Sequence, residues 1–178
     1  MKKVLIVIDM QKDFIDGALG TKEAEAIVDK VIAKCKYYRS DPDGEVYATR
    51  DTHQPDYLQT QEGKNLPVEH CVEGTDGWKL HPEIERLVPA DHIFNKPTFG
   101  SEELVKAMKL RYGEEPDAVR FEVVGLCTDI CVVSNALLLK AAMPEAVVAV
   151  DPECCAGVTP EKHEAALETM RSCQILNA

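Results

Sequence analysis

The feature that most constrains the fold is a series of short apolar segments, rich in β-branched residues, separated by stretches of helical periodicity. The segments lie at 4–8, 45–49, 92–95, 121–125 and 146–150, with a weaker sixth at 174–176. Helical patterns occupy roughly 22–39, 101–112, 130–142 and 160–173. Apolar strands without alternation, connected through helices, are typical of a parallel sheet covered on both faces. The sequence therefore predicts a three-layer α/β/α fold, doubly wound around a mainly parallel six-stranded sheet.

The length of the chain favours one domain. With 178 residues, a single hydrophobic core can bury most of the apolar surface, so we expect one domain over residues 1–178. Segment 51–81 departs from the alternation of strands and helices, since it is polar, loop-like and contains Gly, Pro and His. A connection of that length inside a compact domain is usually functional.

Composition excludes several classes of partner. A formal net charge of −11, with no basic stripe, argues against nucleic acid. No apolar run approaches the ~20 residues that a membrane-spanning helix needs, and the apolar N-terminal segment ends in Asp9 without a cleavage site, so we interpret it as the first strand. The seven cysteines are odd in number and lack the spacing of a disulfide framework, which predicts a reducing cytoplasm.

Side chains suited to chemistry follow four of the predicted strands. Asp9 ends the first strand, and His53, Lys96 and Cys131 lie shortly after the second, third and fourth. In an open parallel sheet the ligand crevice lies outside the carboxyl ends of the strands. Each residue has an ordinary alternative, since Asp9 could cap a turn, Lys96 could be solvated and His53 could lie on the surface. Their convergence on one edge of the sheet instead predicts an active site.

Cys131 is the candidate nucleophile. The segment 121–139 predicts a strand, a sharp turn and then a helix that begins near Cys131. A thiol at a helix N-terminus faces unpaired N–H groups and the positive end of the helix dipole, so we expect its thiolate to be favoured. The alternative is that Cys131 is simply a small buried residue.

Five blocks of sequence resemble the isochorismatase-like cysteine hydrolases, the superfamily that contains the nicotinamidases. The blocks are VIDMQKDF (7–14), TRDTH (49–53), HCVEGTDGW (70–78), NKPTFGS (95–101) and GLCTDICV (125–132). They occur in the family order, and the similarity extends over essentially the whole chain, which implies the isochorismatase-like fold. It also implies that Cys131 is the nucleophile, Asp9 its proton acceptor and Lys96 the third member of a catalytic triad.

The resemblance implies further features around the nucleophile. Relatives contain a non-proline cis peptide at the position of Leu126–Cys127, and we expect the N–H groups of Cys127 and Cys131 to face the substrate oxygen as an oxyanion hole. Phe14 is expected to contact the substrate ring. Cys127 stands where alanine is common in the family, so it either fills a tight space or places a second thiol beside the nucleophile.

A metal site is also implied. Asp51, His53 and His70 match the metal ligands of nicotinamidases, and Glu62 lies about where some relatives supply a glutamate. Mixed nitrogen and oxygen donors suit a divalent transition metal, with Zn²⁺ preferred and Fe²⁺ or Mn²⁺ as alternatives. In the family this metal binds the ring nitrogen of the substrate. The alternative for His70 is a loop histidine that bonds a backbone carbonyl.

The sequence departs from the family in the residues expected to hold the substrate ring. Nicotinamidases usually clamp the pyridine ring between a phenylalanine and a tryptophan near the metal histidine. Phe14 is present, but Leu66 and Val68 precede His70 where an aromatic residue might be expected. Trp78 lies beyond the motif, where it more often begins a helix that packs on the core. The substrate ring therefore need not be nicotinamide.

Together these patterns predict a cytoplasmic cysteine amidohydrolase that cleaves a small carboxamide through a thioester on Cys131. The first choice of reaction is nicotinamide to nicotinate plus ammonia. Two alternatives stay open: hydrolysis of another small amide or N-carbamoyl compound, and a non-catalytic metal-binding or redox scaffold. The vinyl-ether hydrolysis of isochorismatase proper is disfavoured, because those enzymes lack the nucleophilic cysteine. Relatives commonly form homo-oligomers, so a homo-oligomer with a small-molecule substrate and no membrane or nucleic-acid partner is expected.

Overall fold

The strands form one six-stranded sheet. The computed structural model describes residues 1–178, and its strands are β1 (Lys2–Ile8), β2 (Gly44–Asp51), β3 (Ile93–Lys96), β4 (Val119–Leu126), β5 (Val147–Ala156) and β6 (Leu176–Asn177). Their spatial order is β3-β2-β1-β4-β5-β6, and every neighbouring pair is parallel. The predicted doubly wound α/β fold is confirmed, with a sheet that is entirely rather than mainly parallel.

Seven α-helices accompany the sheet. They are α1 (Lys12–Ile15), α2 (Lys22–Ser40), α3 (Gln61–Asn65), α4 (Pro82–Leu87), α5 (Glu102–Tyr112), α6 (Val133–Ala142) and α7 (Pro160–Ser172). Helices α2 and α4 pack on one face of the sheet, and α5, α6 and α7 pack on the other. No helix is both long and apolar enough to cross a membrane.

The central strand β1 shows why its sequence is apolar without alternation. Leu5 and Val7 point into the core beneath α2 and α4, whereas Val4, Ile6 and Ile8 point into the core beneath α5, α6 and α7. All five side chains are fully buried. A strand covered by helices on both faces has no solvent side on which polar residues would be favoured.

The topology places a crevice between β1 and β4. The chain proceeds outward from β1 through β2 to β3, then returns to β4 beside β1 and proceeds outward in the other direction. The connections after β1 and β4 therefore diverge at their carboxyl ends, which is the position where doubly wound folds bind ligands. Asp9 follows β1 and the turn with Cys131 follows β4.

Gly125 allows β4 to approach β1 closely at this crevice. Its φ angle is 118°, in a region that residues with a side chain rarely adopt. A Cβ atom at this position would also clash with the backbone oxygen of Ile8. Glycine is therefore required immediately before the Leu126–Cys127 peptide.

The structure differs from the prediction at several boundaries. The helix predicted at 130–142 begins at Val133, because Thr128–Val132 form a wider π turn. Segment 51–81 contains a 3₁₀ turn (Tyr57–Gln59) and α3, so it is not purely a loop. Strand β5 continues to Ala156 instead of ending at 150. Helices α1 and α4 had no predicted counterpart, since four to six residues are too few to show helical periodicity.

A buried charge cluster joins α2 to the sheet away from the crevice. Lys34 contacts the carboxylates of Glu122 and Asp151, and Tyr38 donates a hydrogen bond of 2.8 Å to Glu122. Glu122 and Asp151 are only 6% and 8% exposed. Buried carboxylates need such partners, because removal of one member leaves an uncompensated charge in a dry environment.

We expect Lys34→Met to lower the free energy of unfolding by about 3–5 kcal/mol, since both carboxylates lose their cation. Lys36→Met on the same helix is the matched control. Lys36 pairs with Glu83 at 3.5 Å on the surface, where ion pairs contribute under about 1 kcal/mol. Urea denaturation at pH 7 measures both variants, and equal effects would contradict a role for Lys34 in stabilising the cluster.

Candidate active site and metal centre

The carboxyl ends of β1, β3 and β4 bring the three predicted catalytic side chains together. The Nζ atom of Lys96 lies 2.6 Å from Oδ2 of Asp9 and 3.4 Å from Sγ of Cys131. Exposed fractions are 0%, 1% and 5% for Asp9, Lys96 and Cys131. A thiol, a carboxylate and an ammonium group therefore share one buried cluster at the edge of the sheet, which is the geometry that nucleophilic catalysis by a thiol requires.

Asp9 is held by its own backbone and by a neighbouring strand. Its φ angle of 48° is left-handed, a conformation that aspartate tolerates better than most residues, and it turns the chain directly after β1. Oδ1 accepts a hydrogen bond of 2.6 Å from the hydroxyl of Thr49 in β2. Oδ2 forms the ion pair with Lys96 but accepts no hydrogen bond of good geometry. A lone pair on Oδ2 is therefore available for a proton.

The electrostatics of the cluster favour a neutral thiol in the resting protein. Burial raises the pKa of Cys131 well above its usual value, and the carboxylate of Asp9 raises it further, while Lys96 opposes both. Burial also raises the pKa of Asp9, against the effect of Lys96. Burial would lower the pKa of Lys96, but the carboxylates of Asp9 and Asp51 outweigh it and keep the ammonium charged.

The expectation of a stabilised thiolate at Cys131 is therefore wrong. The residue lies inside the π turn that precedes α6 and not at a simple helix N-terminus. The field of a helix dipole is modest and falls off within one turn, whereas the desolvation of a fully buried thiolate is costly. Burial and the adjacent carboxylate of Asp9 thus determine the protonation state of the Cys131 thiol.

The turn before Cys131 exposes backbone donors to the crevice. The peptide bond between Leu126 and Cys127 is cis, the position at which the family resemblance places such a bond. The N–H group of Cys127 donates to no acceptor in the protein. The Cys127 side chain packs against the core beneath α2, and burial raises the pKa of its thiol to about 12. The side chain of Cys127 therefore has a packing role.

Asn135 connects this turn to the loop that follows β3. Its Nδ2 donates to the carbonyl of Cys131 at 2.7 Å and to that of Phe99 at 3.1 Å, and its Oδ1 accepts from the N–H of Ser101 at 2.9 Å. The sequence analysis did not identify Asn135. Its only sequence signal is an amide four residues after the nucleophile on the buried face of an otherwise apolar helix.

A second cluster adjoins the first and contains the four predicted metal ligands. The ligand atoms of Asp51, His53, Glu62 and His70 all lie within 4.8 Å of one another. Oδ2 of Asp51 is 2.9 Å from Nε2 of His53 and 3.5 Å from Nε2 of His70. Oε1 of Glu62 is 3.7 Å and 3.9 Å from the same two nitrogens. Donors at about 2.1 Å from a tetrahedral ion lie about 3.4 Å apart, so the set fits a metal such as Zn²⁺.

Neighbouring groups orient these donors. Nδ1 of His70 lies 2.8 Å from the carbonyl of Val68, so Nδ1 carries the proton and the lone pair of Nε2 faces the cluster. The backbone-carbonyl contact considered as an alternative for His70 thus assists metal binding. Gln11, which the sequence analysis did not single out, fixes the backbone of Asp51 through hydrogen bonds of 2.7 Å and 2.8 Å.

The balance of charge also favours a bound cation. Burial would raise the pKa of Asp51, but the adjacent rings of His53 and His70 outweigh it and lower that pKa. Burial raises the pKa of Glu62, and the carboxylate of Asp51 raises it further, while His53 opposes both. Asp9, Asp51 and Glu62 face a single cation, Lys96. A divalent metal would neutralise the excess.

A cavity of about 600 Å³ opens above both clusters. Its floor includes Cys131, Asp51, Glu62 and His70, and Phe14 forms one wall with its ring centroid 5.5 Å from that of His70. The cavity thus joins the nucleophile, the metal ligands and the predicted ring contact in one space.

Trp78 does not line the cavity and does not begin a helix. Its Nε1 donates to the hydroxyl of Thr52 at 2.8 Å, and the guanidinium of Arg50 lies 4.0 Å from its ring centroid. Trp78 therefore supports the strand that carries Asp51 and does not take part in a clamp on the substrate ring.

An all-parallel sheet with a buried thiol, carboxylate and lysine at its carboxyl edge is the architecture of an α/β cysteine hydrolase. The Isochorismatase domain family model matches residues 3–176, and the chain belongs to that family. It is 29% identical to the nicotinamidase/pyrazinamidase of Mycobacterium tuberculosis, over 97% of this chain and 96% of that protein.

Comparison with solved structures also shows similarity to nicotinamidases and pyrazinamidases. The nicotinamidase/pyrazinamidase of Bacillus subtilis has a TM-score of 0.83 at 27% identity, with all of both chains covered. The pyrazinamidase of Pyrococcus horikoshii, solved in complex with zinc, has a TM-score of 0.81 at 27% identity, covering 100% of this chain and 99% of that one. The predicted family is confirmed.

We expect the purified protein to contain about one divalent transition metal per chain, and both His53→Ala and His70→Ala to raise the dissociation constant by more than about 100-fold. His81→Ala is the control, because His81 lies outside the cluster. Elemental analysis and metal titration of chelated protein measure the effect. Equal metal content in all four proteins would contradict the assignment.

Proposed function

We propose that this protein is a cysteine amidohydrolase that cleaves the C–N bond of a small carboxamide, with nicotinamide to nicotinate plus ammonia as the leading reaction. The observation that carries the proposal is the position of Lys96 Nζ, 2.6 Å from Asp9 and 3.4 Å from the sulfur of Cys131, which lines the cavity. The names of the relatives in Mycobacterium tuberculosis and Bacillus subtilis support this reaction class.

In the first half of the reaction, the sulfur of Cys131 attacks the amide carbonyl carbon and the thiol proton passes to Oδ2 of Asp9. The carbonyl electron pair moves onto oxygen, and the N–H groups of Cys127 and Cys131 stabilise the resulting negative charge. The C–N bond then breaks, the nitrogen takes the proton from Asp9, and ammonia leaves behind a thioester on Cys131.

In the second half, water attacks the thioester and gives its proton to Asp9. The C–S bond breaks, the sulfur recovers the proton, and the carboxylic acid is released. Lys96 keeps Asp9 ionised between these transfers, because an ammonium at 2.6 Å opposes the pKa increase that burial causes. The thiol proton thus leaves with ammonia, and the proton of the attacking water replaces it on Cys131.

The donor set Asp51, His53, Glu62 and His70 would hold a divalent metal, with Zn²⁺ preferred because the relative from Pyrococcus horikoshii was solved with zinc. When bound, the metal supplies a Lewis-acid contact that orients a substrate ring nitrogen. Phe14 contributes an apolar face on the same side of the cavity. Orientation of the amide toward Cys131 is the expected result.

Electrostatics distinguish this proposal from its nearest alternative. No lysine or arginine lines the cavity, and its charged lining residues are Asp51 and Glu62. An N-carbamoyl amino acid or isochorismate carries carboxylates, which would meet no free positive charge at the wall. An uncharged amide loses less on desolvation, so it suits this cavity better.

The remaining aspects of the proposal concern the protein as a whole. We propose a reducing, cytoplasmic location, which the seven free cysteines support. The net charge of −11 supports small molecules over nucleic acid as partners. A homo-oligomer stays a prediction from the family resemblance.

The proposal predicts ammonia release from nicotinamide and pyrazinamide but not from N-carbamoyl amino acids. The expected ratio of kcat/KM values is at least about 100-fold, equivalent to about 2.7 kcal/mol for an uncompensated carboxylate. A coupled ammonia assay on the metal-containing protein measures it. If only the N-carbamoyl compounds are hydrolysed, the proposed substrate class is wrong. If none of these compounds is hydrolysed, the proposed hydrolase activity is refuted.

Cys131→Ala should abolish turnover while the protein stays folded, because the attacking atom is lost. Asp9→Asn should lower kcat by about 10²–10⁴-fold, as expected for loss of a general base. Cys173→Ala is the matched control, since Cys173 is exposed. Steady-state kinetics with circular dichroism tests the series, and full activity in Cys131→Ala would disprove the mechanism.

A further inference from the structure

The cavity is larger than a single-ring amide requires. Even if each of the about nine non-hydrogen atoms of nicotinamide took the ~30 Å³ of a liquid water molecule, the compound would fill less than half of the 600 Å³. In the proposed reaction, Cys131 at the floor of the cavity contacts the amide of the substrate, and the metal position contacts its ring nitrogen. The rest of the space has no role in the reaction described above.

That remaining space is bordered by an apolar outer wall. We use this name for five side chains that line the cavity apart from the polar floor: Leu19, Leu66, Phe99, Ile130 and Val158. Three of them are large apolar residues with substantial exposure, at 39% for Leu66, 46% for Phe99 and 42% for Val158. Apolar side chains gathered at the mouth of a cavity favour a ligand that removes them from water.

The outer wall is anchored to the catalytic elements. The backbone of Phe99 is bonded by Asn135, which also bonds the carbonyl of Cys131. The N–H of Val158 donates to Asp129 in the nucleophile turn at 2.9 Å. The carbonyl of Leu66 accepts from the hydroxyl of Tyr57 at 2.9 Å. These bonds preform the wall in a fixed position relative to the nucleophile, so it can select among substrates.

The chemistry of the wall defines the group that it would accept. Neither the wall nor the floor carries a free cation, so an anionic substituent is disfavoured. The five side chains of the outer wall carry no hydrogen-bonding group. A substituent that reaches the outer wall would therefore gain mainly from removal of apolar surface from water.

We propose that the outer wall is a specificity subsite for an uncharged apolar substituent, and that the preferred substrate is a ring carboxamide that carries an alkyl or aryl group. This inference rests on the proposed amidohydrolase function and refines its substrate class.

The test compares nicotinamide with nicotinamides that carry propyl, phenyl or carboxylate groups at each free ring carbon. Each buried methylene is worth about fourfold, so the best propyl or phenyl compound should exceed nicotinamide in kcat/KM by at least about tenfold. The matching carboxylate compound should fall below nicotinamide. Calorimetric binding to Cys131→Ala with metal bound measures the same preference without catalysis.

Phe99→Ser and Val158→Ser should each reduce the preference for the apolar compound by at least about fivefold. Leu110→Ser is the control, because Leu110 is an exposed apolar residue, at 87%, outside the cavity. Light scattering should show the same mass for all variants. If a variant changes the mass of the particle in solution but not the substrate preference, the subsite is overturned and the outer wall is identified as a contact between subunits.

The outcomes separate the inference from the function on which it rests. Hydrolysis of nicotinamide with no gain for any apolar compound would overturn the subsite and leave the amidohydrolase proposal standing. If no amide is hydrolysed, the proposed function fails. The binding measurement then tests the subsite separately. Binding of an apolar compound at least about tenfold tighter than that of nicotinamide supports the subsite, and equal binding overturns it.

Discussion

The interaction on which the site depends is the burial of Lys96 among carboxylates. An ammonium group that is 1% exposed can persist only where opposite charges replace water. Asp9 at 2.6 Å and Asp51 at 3.5 Å do so, and they come from the ends of β1 and β2, the two strands that lie between β3 and β4 in the sheet. Since Asp51 also belongs to the metal-ligand set, the catalytic cluster and the metal centre form one electrostatic unit.

This unit determines how the thiol can act. A permanent thiolate at Cys131 would place another negative charge beside Asp9 in a dry space, and burial raises its pKa accordingly. A proton that moves from Cys131 to Asp9 during attack leaves the total charge of the cluster unchanged. In the proposed mechanism, the sulfur becomes a strong nucleophile only during attack on the substrate carbonyl, in contrast to a thiol that a helix dipole activates at rest.

The sequence predicted the fold and brought the candidate residues to one edge because both depend on local patterns. Unalternating strands such as 4–8 indicate a sheet buried on both faces, and residues just after strands must lie at its carboxyl edge. The roles of Gln11, Thr49 and Asn135 depend on partners 36 to 40 residues away, so no local pattern revealed them. Periodicity predicted a helix start near Cys131 but not the burial of that turn, whereas the family resemblance, which makes Asp9 the proton acceptor, already required a protonated thiol.

The separation of the charged residues from the uncharged outer wall explains how proteins with this fold can differ in substrate preference. Charge balance couples the buried ionic residues beneath the cavity, so changing Asp9, Lys96 or Asp51 alone would leave a buried charge without a partner. The outer wall carries no charge, and its side chains attach to backbone that is held by independent hydrogen bonds. Exchange of one apolar side chain for another there alters shape at little electrostatic cost. Substrate preference can therefore change at Leu66, Phe99 or Val158 while the reacting groups stay fixed.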